Sequence, residues 1–295
     1  MNADAIALLE MSGGFATTAQ LSTVMTRQQL DVQVKNGGLK RVWYGIYAAH
    51  EPDLLGRLAA LDVFMGKQAV PCMGTAAALY GFDTENTTAI HVLDPGVRMR
   101  STVGLMVHQR AGARLQRVAG RLATAPAWTA VEVARQQRRP RALATLDAAL
   151  HSMRCSRKEL EIAVSEQRGR RGIVAVRELT PLADGRAESP MESEARLVMI
   201  DRGLPPPELQ YPIRGSDGEL WRVDFAWPAA RLAAEYESID WHAGRDAMLR
   251  DKRRLGTIQE LGWTMIPIVI HDVRLEPDRL AKRIATHLYR QRMAG

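Results

Sequence analysis

LWRVDFAWPAARLAAEYE, residues 220–237, decides the reading of the last third of the chain. Leu220 to Trp227 is apolar and aromatic around one acid, Asp224. Pro228 breaks the run, and Arg231 to Glu237 resumes it with Glu235 and Glu237. Residues of this kind, bounded by a proline, form two strands with a short connection. Side chains two apart on a strand share a face, so Glu235 and Glu237 point the same way. Asp224 reaches the same spot if the two strands are neighbours. Three carboxylates on one sheet face repel each other and lose hydration, which is unfavourable unless a cation or a basic partner neutralises them. Mg²⁺, with Mn²⁺ as the alternative, suits Asp224, Glu235 and Glu237 as ligands; zinc does not, because no His or Cys stands nearby in a metal spacing. The plainer reading pairs the acids with Arg222 or Arg231.

Working outward, Ser189-Pro190 caps a helix through Ile200, Gly203 stops it, and Leu209 to Ile213 forms an edge-type strand. Asp217-Gly218 turns the chain into the strand that carries Asp224. Helical residues run from Arg245 to Leu261, a strand from Trp263 to Ile270 and a helix from Pro277 to Arg292. The order α-β-β-β-α-β-α gives a mixed sheet with helices on its faces.

The first fifty residues are of another kind. Ile6, Leu8, Leu9 and Met11 lie on a first helix that Gly13-Gly14 stops, and Thr17 opens a second. Thr26 opens a third, which Gly37-Gly38 ends. Leu39 to Ala48 alternates and turns at Gly45 as a short hairpin. Three short helices and a hairpin make a winged helix-turn-helix. Its third helix would offer Arg27, Gln28, Gln29, Gln33 and Lys35 to the major groove of double-stranded DNA. Arg reads guanine and Gln reads adenine there, while Lys40 and Arg41 on the wing suit phosphates. A protein–protein role for the same module is the alternative.

Between these ends, residues 69–82 read as a buried helix capped near Thr75, and 90–93 and 103–107 as strands. His91 and His108 are expected to be structural. Helices resume from Ala127 to about Ala175. The region from Gly96 to Arg186 holds 18 Lys or Arg against 7 Asp or Glu, a balance of +11, so the remainder of the +7 chain is at −4. A basic middle fits a polyanion partner or a solvated helical surface; the clusters at 138–141 and 168–171 are assigned to phosphates. A composition of 46% hydrophobic and 25% charged residues excludes disorder and fibrous order. Cys72 and Cys155, far apart, exclude a disulfide framework and fit a reducing cytoplasm. The first residues lack the basic start of a signal peptide, and no apolar run is long enough to span a bilayer.

Two resemblances follow. GGFATTAQL with TRQQLDVQVKNGGLKRVWYGIYA resembles the winged-helix domain of AbiEi-type antitoxins, and the stretch after residue 69 resembles that family's connecting region. SPMESEAR, VDFAWPAARLAAEYE, His242 and RDKRRLGTIQELGWTMIPI resemble the Vsr-like branch of the PD-(D/E)XK nucleases. That second resemblance implies a metal at Asp224 and Glu235, an acidic helper at Glu192, and roles for His242, Arg250, Asp251 and Arg254. Glu237 stands where the superfamily has lysine, so Lys252 or His242 would stand in for it. The fold class expected is α+β: a winged helix at 1–50, a basic connecting α/β and helical region at 51–186, and a restriction-endonuclease-like α/β core at 187–295. The function expected is a Mg²⁺-dependent endonuclease acting on DNA. The alternative is an AbiEi-type antitoxin or regulator, with a toxin or its own operon as partner and an inactive nuclease-like domain.

Overall fold

A computed structural model describes residues 3–82, 88–96, 101–109, 111–215, 218–238 and 245–294. The fold is mixed α+β and divides into two compact units, Met1–Thr129 and Ala130–Gly295.

In the first unit, α1 (Ala3–Met11), α2 (Thr18–Leu21) and α3 (Arg27–Lys35) pack with β1 (Phe15–Thr17), β2 (Lys40–Trp43) and β3 (Ile46–Ala48). Capping boxes start α2 and α3. Thr26 Oγ1 accepts from the Gln29 N–H at 3.3 Å, and Gln29 Oε1 accepts from the Thr26 N–H at 2.8 Å. The hairpin turns at Gly45, whose φ of +73° is open to glycine at little cost. Antiparallel pairing in the order β1-β3-β2 places β3 centrally, so β1 extends the expected hairpin to three strands. Ala5, Leu9, Leu21, Leu30 and Leu39 form the core beneath.

The remainder of this unit has α4 (Leu54–Met65), α5 (Met73–Tyr80), a parallel pair β4 (Ile90–Leu93) and β5 (Leu105–His108), and an antiparallel hairpin β6 (Leu115–Val118) and β7 (Arg121–Thr124). The helix expected over 69–82 starts only at Met73, because Pro71 bridges to Val92 and holds that stretch extended. Thr75 is not the cap. Its hydroxyl accepts from the His91 N–H at 2.8 Å. The β6–β7 hairpin carries too little apolar alternation to be legible beforehand.

α6 (Pro126–Ala134) leads into the second unit, followed by α7 (Arg139–His151), α8 (Arg157–Glu166) and α9 (Ile173–Leu179). Gly172 permits the turn into α9. At φ +84°, a Cβ there would meet the Arg135 carbonyl oxygen at 2.1 Å. Next come α10 (Pro190–Asp201), β8 (Glu208–Arg214), β9 (Leu220–Trp227), β10 (Leu232–Tyr236), α11 (Arg245–Glu260), β11 (Thr264–Ile268), α12 (Ile270–Arg274) and α13 (Pro277–Ala294). The sheet order is β11-β10-β9-β8, with β10 and β11 parallel and the others antiparallel. The expected mixed sheet is present, with β8 at its edge. The last strand ends before Ile270, where α12 begins. One core joins Ala195, Met199, Phe225, Leu232, Ile268 and Leu280. A second joins Ile213, Val223, Ala233 and Ile258. Helices thus cover the sheet on both faces.

Candidate functional site

The antiparallel register of β9 and β10 sets Ala226 opposite Ala233 and Phe225 opposite Ala234, which carries Asp224 towards the end of β10 where Glu235 and Glu237 lie. The strands are neighbours, as the spacing argument required. Ser189 accepts from the Glu192 N–H at 3.1 Å and starts α10 so that Glu192 turns into the same region, where it is 8% exposed. Burial, and then the charge of Asp224, push the Glu192 carboxyl above its usual range. Asp224 and Glu235 are raised as well, in each case chiefly by burial. The acids gather at the sheet end, and each has a partner from the chain itself.

Asp224 Oδ2 accepts from the Tyr236 N–H at 2.9 Å and is also hydrogen-bonded by Gln210. Glu192 Oε2 accepts from Gln210 Nε2 at 2.9 Å and from the Glu188 N–H at 3.0 Å. Arg254 grips Glu235 with both terminal nitrogens, one of them at 2.9 Å, and donates to the Arg222 carbonyl at 2.8 Å. Arg254 was expected on DNA; instead, spacing along α11 aims it at β10. Arg222 pairs with Glu188 at 2.6 Å rather than with Asp224 or Glu235. Glu237 is exposed, its N–H donating to the Ile268 carbonyl at 2.8 Å, and its charge adds to the repulsion felt by Glu235. Lys252 and Arg250 are exposed on α11. His242 lies outside the described residues, and Asp251 is described in its backbone alone.

As arranged, the residues do not fit a divalent ion. Among the described residues no group of three His, Cys, Asp or Glu side chains is placed to hold one. The lone pairs of Asp224 and Glu235 that a metal would take face a backbone amide, a glutamine amide and a guanidinium. Gln210 escaped the sequence reading. Its φ of +52° is a left-handed conformation that a non-glycine residue adopts at a cost of about 1–2 kcal/mol. The β8–β9 register passes from Leu209↔Phe225 to Tyr211↔Val223 around it, and this irregularity brings its amide between Glu192 and Asp224. No sequence signal marks such a bend.

The arginines assigned to phosphates are largely engaged inside the protein. Arg138, Arg141 and Arg274 converge on Glu194, which is 1% exposed, at 3.2, 2.9 and 2.9 Å. Arg139 pairs with Asp201 at 2.9 Å, and Arg170 reaches Glu132 at 3.7 Å. Burial opposes ionisation of Glu194, but the Arg274 hydrogen bond and the three positive charges outweigh it and hold the carboxyl below its usual range.

On α3, Arg27, Gln28 and Lys35 are exposed, Gln33 is half-buried, and Lys40 and Arg41 are exposed on β2. Arg41 lies over the Tyr47 ring, 5.8 Å from its centre. Gln29 is a correction. Its amide oxygen serves the capping box, so it lacks the free pair of amide atoms that bidentate reading of adenine needs.

Residues 69–182 match the family described as AbiEi antitoxin C-terminal domain. That match lies downstream of the first fifty residues, which carried the stronger resemblance in sequence. Two proteins of Mycobacterium tuberculosis, named Uncharacterized protein MT2308 and Uncharacterized protein Rv2248, are each 82% identical over 271 residues, covering 92% of this chain and 100% of each relative. Among the described residues no helix is long and apolar enough to cross a membrane. The chain belongs to one family with these mycobacterial proteins and carries a central segment similar to the AbiEi antitoxin C-terminal domain.

Proposed function

We propose that the protein is a DNA-binding regulator of the AbiEi antitoxin type, in which the C-terminal nuclease-like fold is a scaffold. The match of residues 69–182 to the antitoxin family carries this reading. The exposed Arg27, Gln28 and Lys35 on α3, with Lys40 and Arg41 beside them in sequence on β2, support it as a winged helix that enters the major groove. Arg254 seated on Glu235 supports the scaffold role, since the acids have found charge and hydrogen bonds within the chain. The partners would be double-stranded DNA of its own operon and a toxin protein, in the cytoplasm. Gel-shift titration of the purified chain against its own upstream DNA tests the reading. Specific binding that Arg27→Ala weakens at particular bases is expected; absence of any shift at low salt refutes it.

A second reading, a Vsr-like Mg²⁺-dependent endonuclease, draws on one observation: Glu192, Asp224 and Glu235 are like charges collected in a partly buried place with raised pKa values. It requires Arg254 to leave Glu235, with His242, Lys252 and Glu237 completing the site. Incubation with supercoiled plasmid and Mg²⁺, Mn²⁺ or EDTA tests it. Nicking that Asp224→Ala abolishes favours the enzyme, and equal nicking by parent and variant removes it.

A further inference from the structure

β4 and β5 lie parallel, with His91 opposite Met106 and Leu93 opposite His108. Ile90, Val92 and Leu105 belong to the buried core, so alternation puts His91, Met106 and His108 together on the outer face of the pair. His91 Nδ1 and His108 Nε2 are 2.9 Å apart, and the two rings, with centroids 5.1 Å apart and planes within 12° of parallel, lie end to end. Met106, directly across from His91, is 41% exposed. Two imidazoles and a thioether thus share one accessible patch, with no role in the acid site or on α3.

We propose that His91, Met106 and His108 form a binding site for monovalent copper. The donor set selects the ion. Thioether sulfur is a soft ligand that favours Cu(I), imidazole serves zinc, copper, iron and nickel, and copper is the metal that both donor types suit. The spacing is close to what is required. With metal–nitrogen bonds of about 2.0–2.1 Å, two imidazole nitrogens on one ion stand about 3.3–3.6 Å apart. The rings need to separate by roughly half an ångström and tilt by about 30° each, so that both lone pairs meet at the ion. With His91 as the donor, its proton moves from Nδ1 to Nε2, so both facing lone pairs become available with no net loss of protons. The chain's thiols are poor competitors. Cys72 and Cys155 are both buried, and burial pushes the Cys155 thiol up to about 12.

The test is anaerobic titration of the full chain with Cu(I) against the coloured chelator bicinchoninate, with Zn²⁺ run in parallel. One equivalent withdrawn from the chelator is expected, and it is retained by a Cys72→Ser/Cys155→Ser variant. Met106→Leu, conservative and on the surface, is expected to weaken binding at least tenfold with unchanged circular dichroism, and His108→Ala more strongly. The proposal is overturned by failure to withdraw copper. It is also overturned by equal affinity in Met106→Leu and parent, or by Zn²⁺ binding that matches copper and ignores Met106.

Discussion

Arg254→Met removes the cation described on Glu235 while keeping a long apolar side chain on α11 against β10. The two side chains are 25% and 18% exposed, between a surface pair and a buried one. Exposed pairs contribute about 0–1 kcal/mol, whereas breaking a buried pair costs about 3–5 kcal/mol. A loss of about 2 kcal/mol is therefore expected, a fall in Tm of about 4–8 °C for a unit of this size. The pH dependence distinguishes a stranded carboxylate from lost packing. Burial has already raised the Glu235 pKa above its unfolded value, and loss of Arg254 raises it further. In the window between the two values the folded state binds more protons, so stability falls as pH rises through it. The deficit is then complete above the folded value and absent below the unfolded one. Urea denaturation of parent and variant at pH 5 and pH 8 measures this, with a wider gap expected at pH 8. Glu235→Gln in the variant background is expected to close most of that gap. A deficit that is equal at both pH values and indifferent to Glu235→Gln refutes the stranded charge.

Glu194→Gln leaves three guanidiniums around a neutral amide and is expected to cost about 3–5 kcal/mol by denaturant titration at pH 7. Because the Glu194 pKa is depressed, its stabilisation is present above the unfolded value and is lost as pH falls through the folded one, so parent and variant converge in acid. Gln29→Glu keeps the capping box and is expected to leave stability within a few tenths of a kcal/mol, while Arg27→Ala costs about 1–3 kcal/mol of DNA binding at particular bases. Lys40→Ala is expected to weaken binding to all sequences alike and reduce the salt slope by about 1, read by fluorescence anisotropy across a salt series. Gly172→Ala is expected to lower Tm by several degrees, since its Cβ would stand 2.1 Å from a fixed carbonyl oxygen.

The order of elements in the last hundred residues was legible, α12 apart, because Pro and Gly punctuate the strands there and Ser189 opens α10. Ser189, and Thr26 at the other end of the chain, both cap where expected. The meeting of Asp224 and Glu235 was legible from strand parity and one antiparallel register, whereas Glu192, on α10, was expected only from the nuclease resemblance. What neutralises these acids was not legible. The choice between Arg254 and Arg222 as partner of Glu235 depends on the rotation of α11 over the sheet, and the Gln210 amide depends on a left-handed residue within a strand. Charge counting also misled. The arginines at 138 and 141 are close to Pro140 in sequence and read as an exposed turn, but their partner Glu194 is more than fifty positions away. Conversely, Thr26 and Gln29 were legible as a cap, and taking that signal further would have withdrawn Gln29 from the groove.

Glu194 also bears on how the gene can be shortened. Its three arginines come from the start of α7 and from α12, and α10, which carries it, also sends Arg196 to Asp147 on α7 at 2.7 Å. A fragment beginning at residue 187 would keep the sheet and discard α7, leaving Glu194 with Arg274 alone and Arg196 without its aspartate. The sheet domain thus shares buried ion pairs with the helices that precede it, and excision at residue 187 is expected to yield insoluble material.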